Sequence, residues 1–263
     1  MVQRPLGNDH LGPHTLLVTS ERTEAAAAQT ENDPAQLQQL ITRARVVLWD
    51  FDGPICSLFA GHSAEQVAMG LVEWLEGRGL HGLLTEHERD SPDPHVVLRA
   101  VDRRHSGSDL VAELEERLTT EELKAAPTAM PTEWADPLIR TWTAVGARMA
   151  VATNNSPRVV RTYLRSRGLE ECFAPHIYGR TEDHLHRLKP HPHCLNRALS
   201  AMGSAPSDAL MIGDSPSDVE AAGRAGVPFL GFARKEHKAR VLRAAGATAV
   251  VSSLEPLLVT FRG

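Results

Sequence analysis

Four residues, Val46-Val47-Leu48-Trp49, are apolar without a break and stop at a carboxylate, Asp50. Such a run lacks the alternation of a half-exposed strand, so both of its faces must be covered. That suits a parallel strand inside a sheet flanked by helices. The pattern recurs at Met149-Ala150-Val151-Ala152 before Thr153, and at Ala209-Leu210-Met211-Ile212 before Gly213-Asp214. Two weaker runs follow, Pro228 to Phe232 and Thr248 to Val251. Between them, helical spacing spans Glu133 to Val145, Pro157 to Arg167, His193 to Met202, Pro216 to Ala225 and Lys235 to Ala245. Strands alternating with helices imply an α/β fold built on a doubly wound parallel sheet.

One stretch breaks this alternation. From about 59 to 129, apolar residues keep helical spacing only: Ala64, Val67, Ala68, Leu71, Val72 and Leu75, then Val96, Val97, Ala100 and Val101, then Leu110, Val111, Leu114 and Leu118. An all-helical module inserted after the first strand is expected there, hinged near Gly61 and Pro127 to Pro131. The α/β core then takes residues 33–58 and 130–263. Residues 1–32 lack sustained periodicity and read as a mobile extension with one short strand around Leu16 to Val18. Asp33, Pro34 and Gln36 form a helix-start pattern of cap, first-turn proline and capping box.

Composition excludes several partners. Of 263 residues, 42% are apolar, enough for a sizeable core, and the formal net charge of -5 offers no broad basic surface for nucleic acid or anionic lipid. No apolar run reaches the roughly 18–20 residues of a membrane helix. Polar residues and prolines interrupt the amino terminus where a signal peptide carries its apolar stretch. Cys56, Cys172 and Cys194 follow no disulfide framework spacing and read as free thiols in a reducing, cytoplasmic compartment.

Ligands of parallel sheets collect outside the carboxyl ends of the strands. Asp50 and Asp52 lie at one such end, two residues apart in extended chain and so facing one way, with Gly53 allowing a sharp turn. Asp50 can act as a nucleophile on phosphorus and Asp52 as the acid and base beside it; the same residues also suit an ordinary turn. Asp214 and Asp218 offer carboxylate oxygens to a hard cation such as Mg2+, while Ser215 or Asp214 before Pro216 equally suits a helix cap. Thr153 and Asn154 place a hydroxyl and amides where phosphate oxygens bind, or serve the strand end structurally. Lys189 can neutralise phosphoryl oxygens, or stand as a solvated surface charge. His184, His186, His191, His193 and Cys194 crowd around Lys189 like half a zinc site, but Pro190 and Pro192 restrict them and no second cluster follows, which favours solvated loop histidines.

Taken in order, the segments Asp50-Phe51-Asp52-Gly53, Thr153, Lys189-Pro190 and Gly213 to Ala222 resemble the four signatures of the haloacid dehalogenase superfamily, in its phosphoglycolate phosphatase-like branch. The resemblance covers about residues 45 to 252. It implies a Rossmann-like core, a helical cap over the site, and Mg2+ held by Asp50, Asp214 and the backbone carbonyl of Asp52, with Asp218 close by. Asp52 favours phosphatases or phosphomutases over the dehalogenases, which lack that acid. Pro54 and Ile55 stand where the family usually shows threonine and a small apolar residue. The expected function is hydrolysis of a small phosphorylated metabolite through an aspartyl-phosphate on Asp50, by a monomer or homodimer. The rival readings are a phosphomutase acting on a sugar phosphate and a non-catalytic binding module retaining the fold.

Overall fold

The computed structural model describes residues 34–259, so the expected extension, the strand near Leu16 to Val18 and the Asp33 cap lie outside the described residues. Helix α1 (Pro34–Arg43) leads into β1 (Val46–Trp49), after which β2 (Cys56–Ser57) and β3 (Met130–Pro131) pair antiparallel. The main sheet is completed by β4 (Arg148–Ala152), β5 (Ile177–Tyr178), β6 (Ala209–Gly213), β7 (Phe229–Phe232) and β8 (Val250–Val251). Its order is β5-β4-β1-β6-β7-β8, and every neighbouring pair is parallel. The α/β class and the doubly wound parallel sheet expected from sequence are present. Strand β5 and the β2–β3 pair add to that expectation; at two residues each they carry too little pattern to be read from sequence.

The unbroken apolar run of β1 has a direct cause. Val47 and Trp49 enter one hydrophobic core, while Val46 and Leu48 enter the core on the opposite face. Trp49 meets Trp142 across the first core with ring centroids 5.7 Å apart. Register aligns Trp49 with Val151 on one side and Ile212 on the other. The residues that follow these three therefore emerge together at one edge, where chain order diverges on either side of β1.

Between β2 and β3 the chain forms α2 (Ala64–Glu76), α3 (Glu86–Arg89), α4 (Pro94–His105) and α5 (Asp109–Ala125). Each is capped by a hydroxyl or carboxylate: Ser63, Thr85, Asp93 and Ser108 accept from backbone N–H groups of the first turn. These helices share a separate core of Val67, Leu71, Val97, Val101, Leu114 and Leu118. No described helix is long and apolar enough to cross a membrane.

Candidate active site

Asp50 leaves β1 while its backbone N–H still donates to the Ile212 carbonyl at 2.9 Å, so the strand fixes where its carboxylate starts. Oδ1 of Asp50 accepts from the Phe51 N–H at 2.8 Å and lies 2.8 Å from Lys189 Nζ. The turn after it depends on Gly53, whose φ of +111° is left-handed territory, and where an added Cβ would fall within 2.8 Å of the Asp214 carboxylate. Thr132, arriving from beyond β3, donates its hydroxyl to the Gly53 carbonyl at 2.6 Å. A hydroxyl therefore supports this turn although Pro54 offers none.

Lys189 is not a solvated surface charge. It is 1% exposed; its Nζ donates to the Ala152 carbonyl at 3.1 Å and forms ion pairs with Asp50 Oδ1 at 2.8 Å and Asp218 Oδ1 at 2.5 Å. Burial alone would lower its pKa, but the charges of Asp218 and Asp50 outweigh that and hold it well above the ordinary lysine value. The carboxylates respond oppositely. Burial, reinforced by Asp218, raises Asp50 to about 7 against the pull of Lys189. Burial raises Asp52 to about 6 even though its Oδ1 accepts from the Leu58 N–H at 2.8 Å. Asp214 also rises to about 6, through burial and Asp218, despite Lys238 at 3.2 Å.

Of the alternatives weighed for residues 213–218, the helix cap is formed, and the capping carboxylate also lies beside Asp50 and Asp214. Helix α10, numbered after α6 (Ala135–Ala144), α7 (Pro157–Ser166), α8 (Glu170–Phe173) and α9 (His193–Met202), runs Pro216–Ala225 and begins with a full capping box of Ser215 and Asp218. Asp218 is wholly buried and its Oδ2 accepts from Asp214 N, Ser215 N and Ser215 Oγ. Asp50, Asp214 and Asp218 each offer an oxygen within 4.8 Å of the others. This donor set is all oxygen, and burial and mutual repulsion push Asp50 and Asp214 toward protonation. It fits a small hard divalent cation, which would relieve that repulsion. The rings of His191 and His193 stand edge-on 6.3 Å apart, and neither joins this cluster.

Thr153 is buried, with its hydroxyl donating to Asn155 Oδ1 at 3.0 Å. The Asn154 side chain clamps the backbone of Lys189 from both sides: Oδ1 accepts from Lys189 N at 2.8 Å, and Nδ2 donates to Lys189 O at 3.2 Å. The start of α7, read from sequence as a place for phosphate oxygens, instead receives a carboxylate from α5. Glu122 accepts from Asn155 Nδ2 at 3.0 Å and from the Ser156 N–H at 3.1 Å, where a helix N-terminus favours an anion.

Residues of the helical module that sequence reasoning misses surround this edge. His95 donates from Nε2 to the Asn154 carbonyl, and Arg99 donates to the Lys189 carbonyl, each at 3.1 Å. Burial opposes the charge on His95, yet Asp93 and Glu122 raise its pKa to about 9. Arg180, 1% exposed, donates to Glu115, Thr119 and Glu122. A signal does exist: Glu115, Thr119 and Glu122 lie on the buried face of α5 with Val111, Leu114 and Leu118, and polar residues on an apolar face need partners.

A parallel α/β sheet whose central strand ends in an acidic pair, faced by a buried lysine and a second acidic loop, defines a class of hydrolytic enzyme core. The family model of the haloacid dehalogenase-like hydrolases matches residues 44–226, more than half of the chain, and the chain belongs to that family. Among curated relatives, the phosphoglycolate phosphatase of Thiobacillus denitrificans is 33% identical over 116 residues, 44% of this chain and 50% of that one. The chain spans between a third and a half of the length of the curated relatives it matches. Among solved structures, a HAD family hydrolase from Deinococcus radiodurans with bound phosphate and sodium is 25% identical, with a TM-score of 0.56, covering 83% of this chain and 95% of that chain. CbbY from Rhodobacter sphaeroides in complex with xylulose-(1,5)bisphosphate is 21% identical with a TM-score of 0.58, covering 80% of this chain and 94% of that chain, a likeness of fold.

Proposed function

We propose that the protein is a Mg2+-dependent phosphatase that hydrolyses a small phosphorylated metabolite through an aspartyl-phosphate on Asp50. The observation that carries this reading is the meeting of Asp50, Lys189, Asp214 and Asp218 at one sheet edge, from three distant segments of chain. Asp218 is engaged through both oxygens, so Asp50 and Asp214 are the carboxylates with room to hold Mg2+, joined by the Asp52 carbonyl. When bound, Mg2+ supplies positive charge to the phosphoryl oxygens.

An Asp50 oxygen forms the bond to phosphorus as the ester oxygen leaves with its electron pair. Asp52, its pKa raised to about 6 by burial, gives that oxygen its proton. Water then attacks the phosphorus, Asp52 takes the water's proton, and the bond to Asp50 breaks. Lys189 holds the Asp50 carboxylate in place and offsets the charge on the transferred group. Thr153 and Asn154 border the phosphoryl position, and the helices between residues 59 and 129 act as the cap that excludes bulk water. Phosphate release from a panel of phosphorylated metabolites, with Mg2+ and with EDTA, tests the reading. No metal-dependent release from any of them, by folded protein, would defeat it.

A further inference from the structure

Arg180 lies after β5, outside every motif that singles out the site, yet its guanidinium joins two separate parts of the molecule. Its Nε donates to Glu115 at 2.9 Å, Nη1 to Glu122 at 2.8 Å, and Nη2 to Glu122 at 2.9 Å and Thr119 at 3.0 Å. All three acceptor residues belong to α5. The same Nη1 also donates to the Asn154 carbonyl at 3.0 Å, and the Arg180 backbone N–H donates to the Asn155 carbonyl at 3.0 Å. Gly179, the residue before it, has no room for a Cβ, which would press on that Asn155 carbonyl and on Pro157. The guanidinium is therefore fixed between the helical module and the 153–156 loop.

We infer that Arg180 is a positioning residue for the phosphoryl-transfer site, acting on Lys189 through Asn154. The physical chain is short. Arg180 and Glu122 fix the loop at Asn154, Asn155 and Ser156. The Asn154 amide then holds the Lys189 backbone by two hydrogen bonds, and the Lys189 ammonium reaches Asp50. Arg99, on α4, braces the same backbone through the Lys189 carbonyl. A planar guanidinium with five fixed donors suits this task, because it can satisfy several acceptors in different directions without flexing. Lysine, having no such fork, could replace it only in part. The module helices thus contribute to the alignment of the ammonium from a distance.

The inference rests on the phosphatase reading only for its activity readout. In Arg180→Met, kcat is expected to fall about 10–100-fold while KM moves less than about threefold, and Arg180→Lys to recover only part of the loss. Because the effect runs through the Asn154 clamp, adding Arg180→Met to Asn154→Ala should cost at most about threefold more than Asn154→Ala alone. Losses that multiply in full would overturn the relay. A second readout needs no turnover: hydrogen exchange of the wild type and Arg180→Met should show faster exchange in two segments, 153–156 and 188–191. Faster exchange in the first segment alone overturns the inference, even if the protein proves not to be a phosphatase. Absence of phosphate release from wild type, with exchange changed in both segments, would instead defeat the functional reading and support the relay. If Arg180→Met does not fold, Glu122→Gln takes its place, with the same two segments expected to loosen; unchanged exchange in 188–191 then overturns the inference.

Discussion

Replacing Lys189 with methionine keeps most of the side-chain volume and removes only the ammonium. The hydrogen bond to the Ala152 carbonyl is lost, and two buried carboxylates, Asp50 and Asp218, are left without their cation. Removing one member of a buried ion pair costs about 3–5 kcal/mol. For a chain of this size each kcal/mol lowers Tm by about 2–4 °C, so a drop of about 10 °C is expected at pH 8 without metal. The penalty depends on pH. Asp50 already titrates near 7 with Lys189 present, and without that ammonium it binds its proton more readily still. At pH 6 the variant can therefore neutralise Asp50 and escape part of the cost, whereas the lysine of the wild type stays charged at both values. The deficit in Tm should shrink from pH 8 to pH 6. Thermal melts at the two pH values, alongside Mg2+-supported phosphate release expected to fall about 10²–10³-fold, make the measurement. An equal deficit at both pH values would refute the claim that unpaired carboxylate charge is its source.

Asp50→Asn should reduce phosphate release by at least about 10³-fold, because an amide cannot form the acyl phosphate, and retained wild-type rates would remove Asp50 as the nucleophile. Asp52→Asn should slow turnover about 10²–10⁴-fold and let phosphoenzyme accumulate, detectable by acid quench and mass measurement. Asp214→Asn should raise the Mg2+ concentration needed for half-maximal activity by about tenfold or more, read from a metal titration. Metal-free protein should lose stability as pH rises from about 4 to about 7, because Asp50, Asp52 and Asp214 have folded pKa values raised above 3.8 and the folded state holds their protons longer. Carboxylates with lowered values, Glu122 and Glu88, act in the opposite direction but at lower pH, losing their contribution as pH falls from about 4.5 toward 2. Urea midpoints across this range check the slope, and saturating Mg2+ should flatten it.

The central strands can be read from sequence because burial on both faces leaves an unbroken apolar run: Val46 to Trp49 feeds two cores at once. Helices α9 and α10 have the limits that their sequence pattern predicts, since proline, serine and glycine mark their ends. Strands β2, β3 and β5 escape notice because no periodicity fits in two positions; β8, equally short, shows only because the apolar run Thr248 to Val251 extends beyond it. Of the site, the acidic residues are legible through their place after strands, and Lys189 only through its order in the chain. What sequence does not show is pairing across distance. Arg180 and Glu122 are 58 residues apart; the apolar face of α5 marks Glu122 as needing a partner, but nothing local to Arg180 identifies it as that partner. The cap is legible at Ser215, but that Asp218 completes the capping box and also pairs with Lys189 needs three dimensions.

Where the chain departs from the sheet and where it returns, Cys56 lies opposite Pro131 and Ser57 opposite Met130. Gly61 and Thr128 then meet so closely that a Cβ on the glycine would fall 2.6 Å from the threonine Oγ1. The excursion thus has a narrow, fastened base, and the floor beneath it closes on itself through the Thr132 hydroxyl at Gly53. Helices of another length or number spliced between Ser57 and Met130 would leave this base intact, but they would also have to supply the acceptors that Glu115, Thr119 and Glu122 offer the buried Arg180.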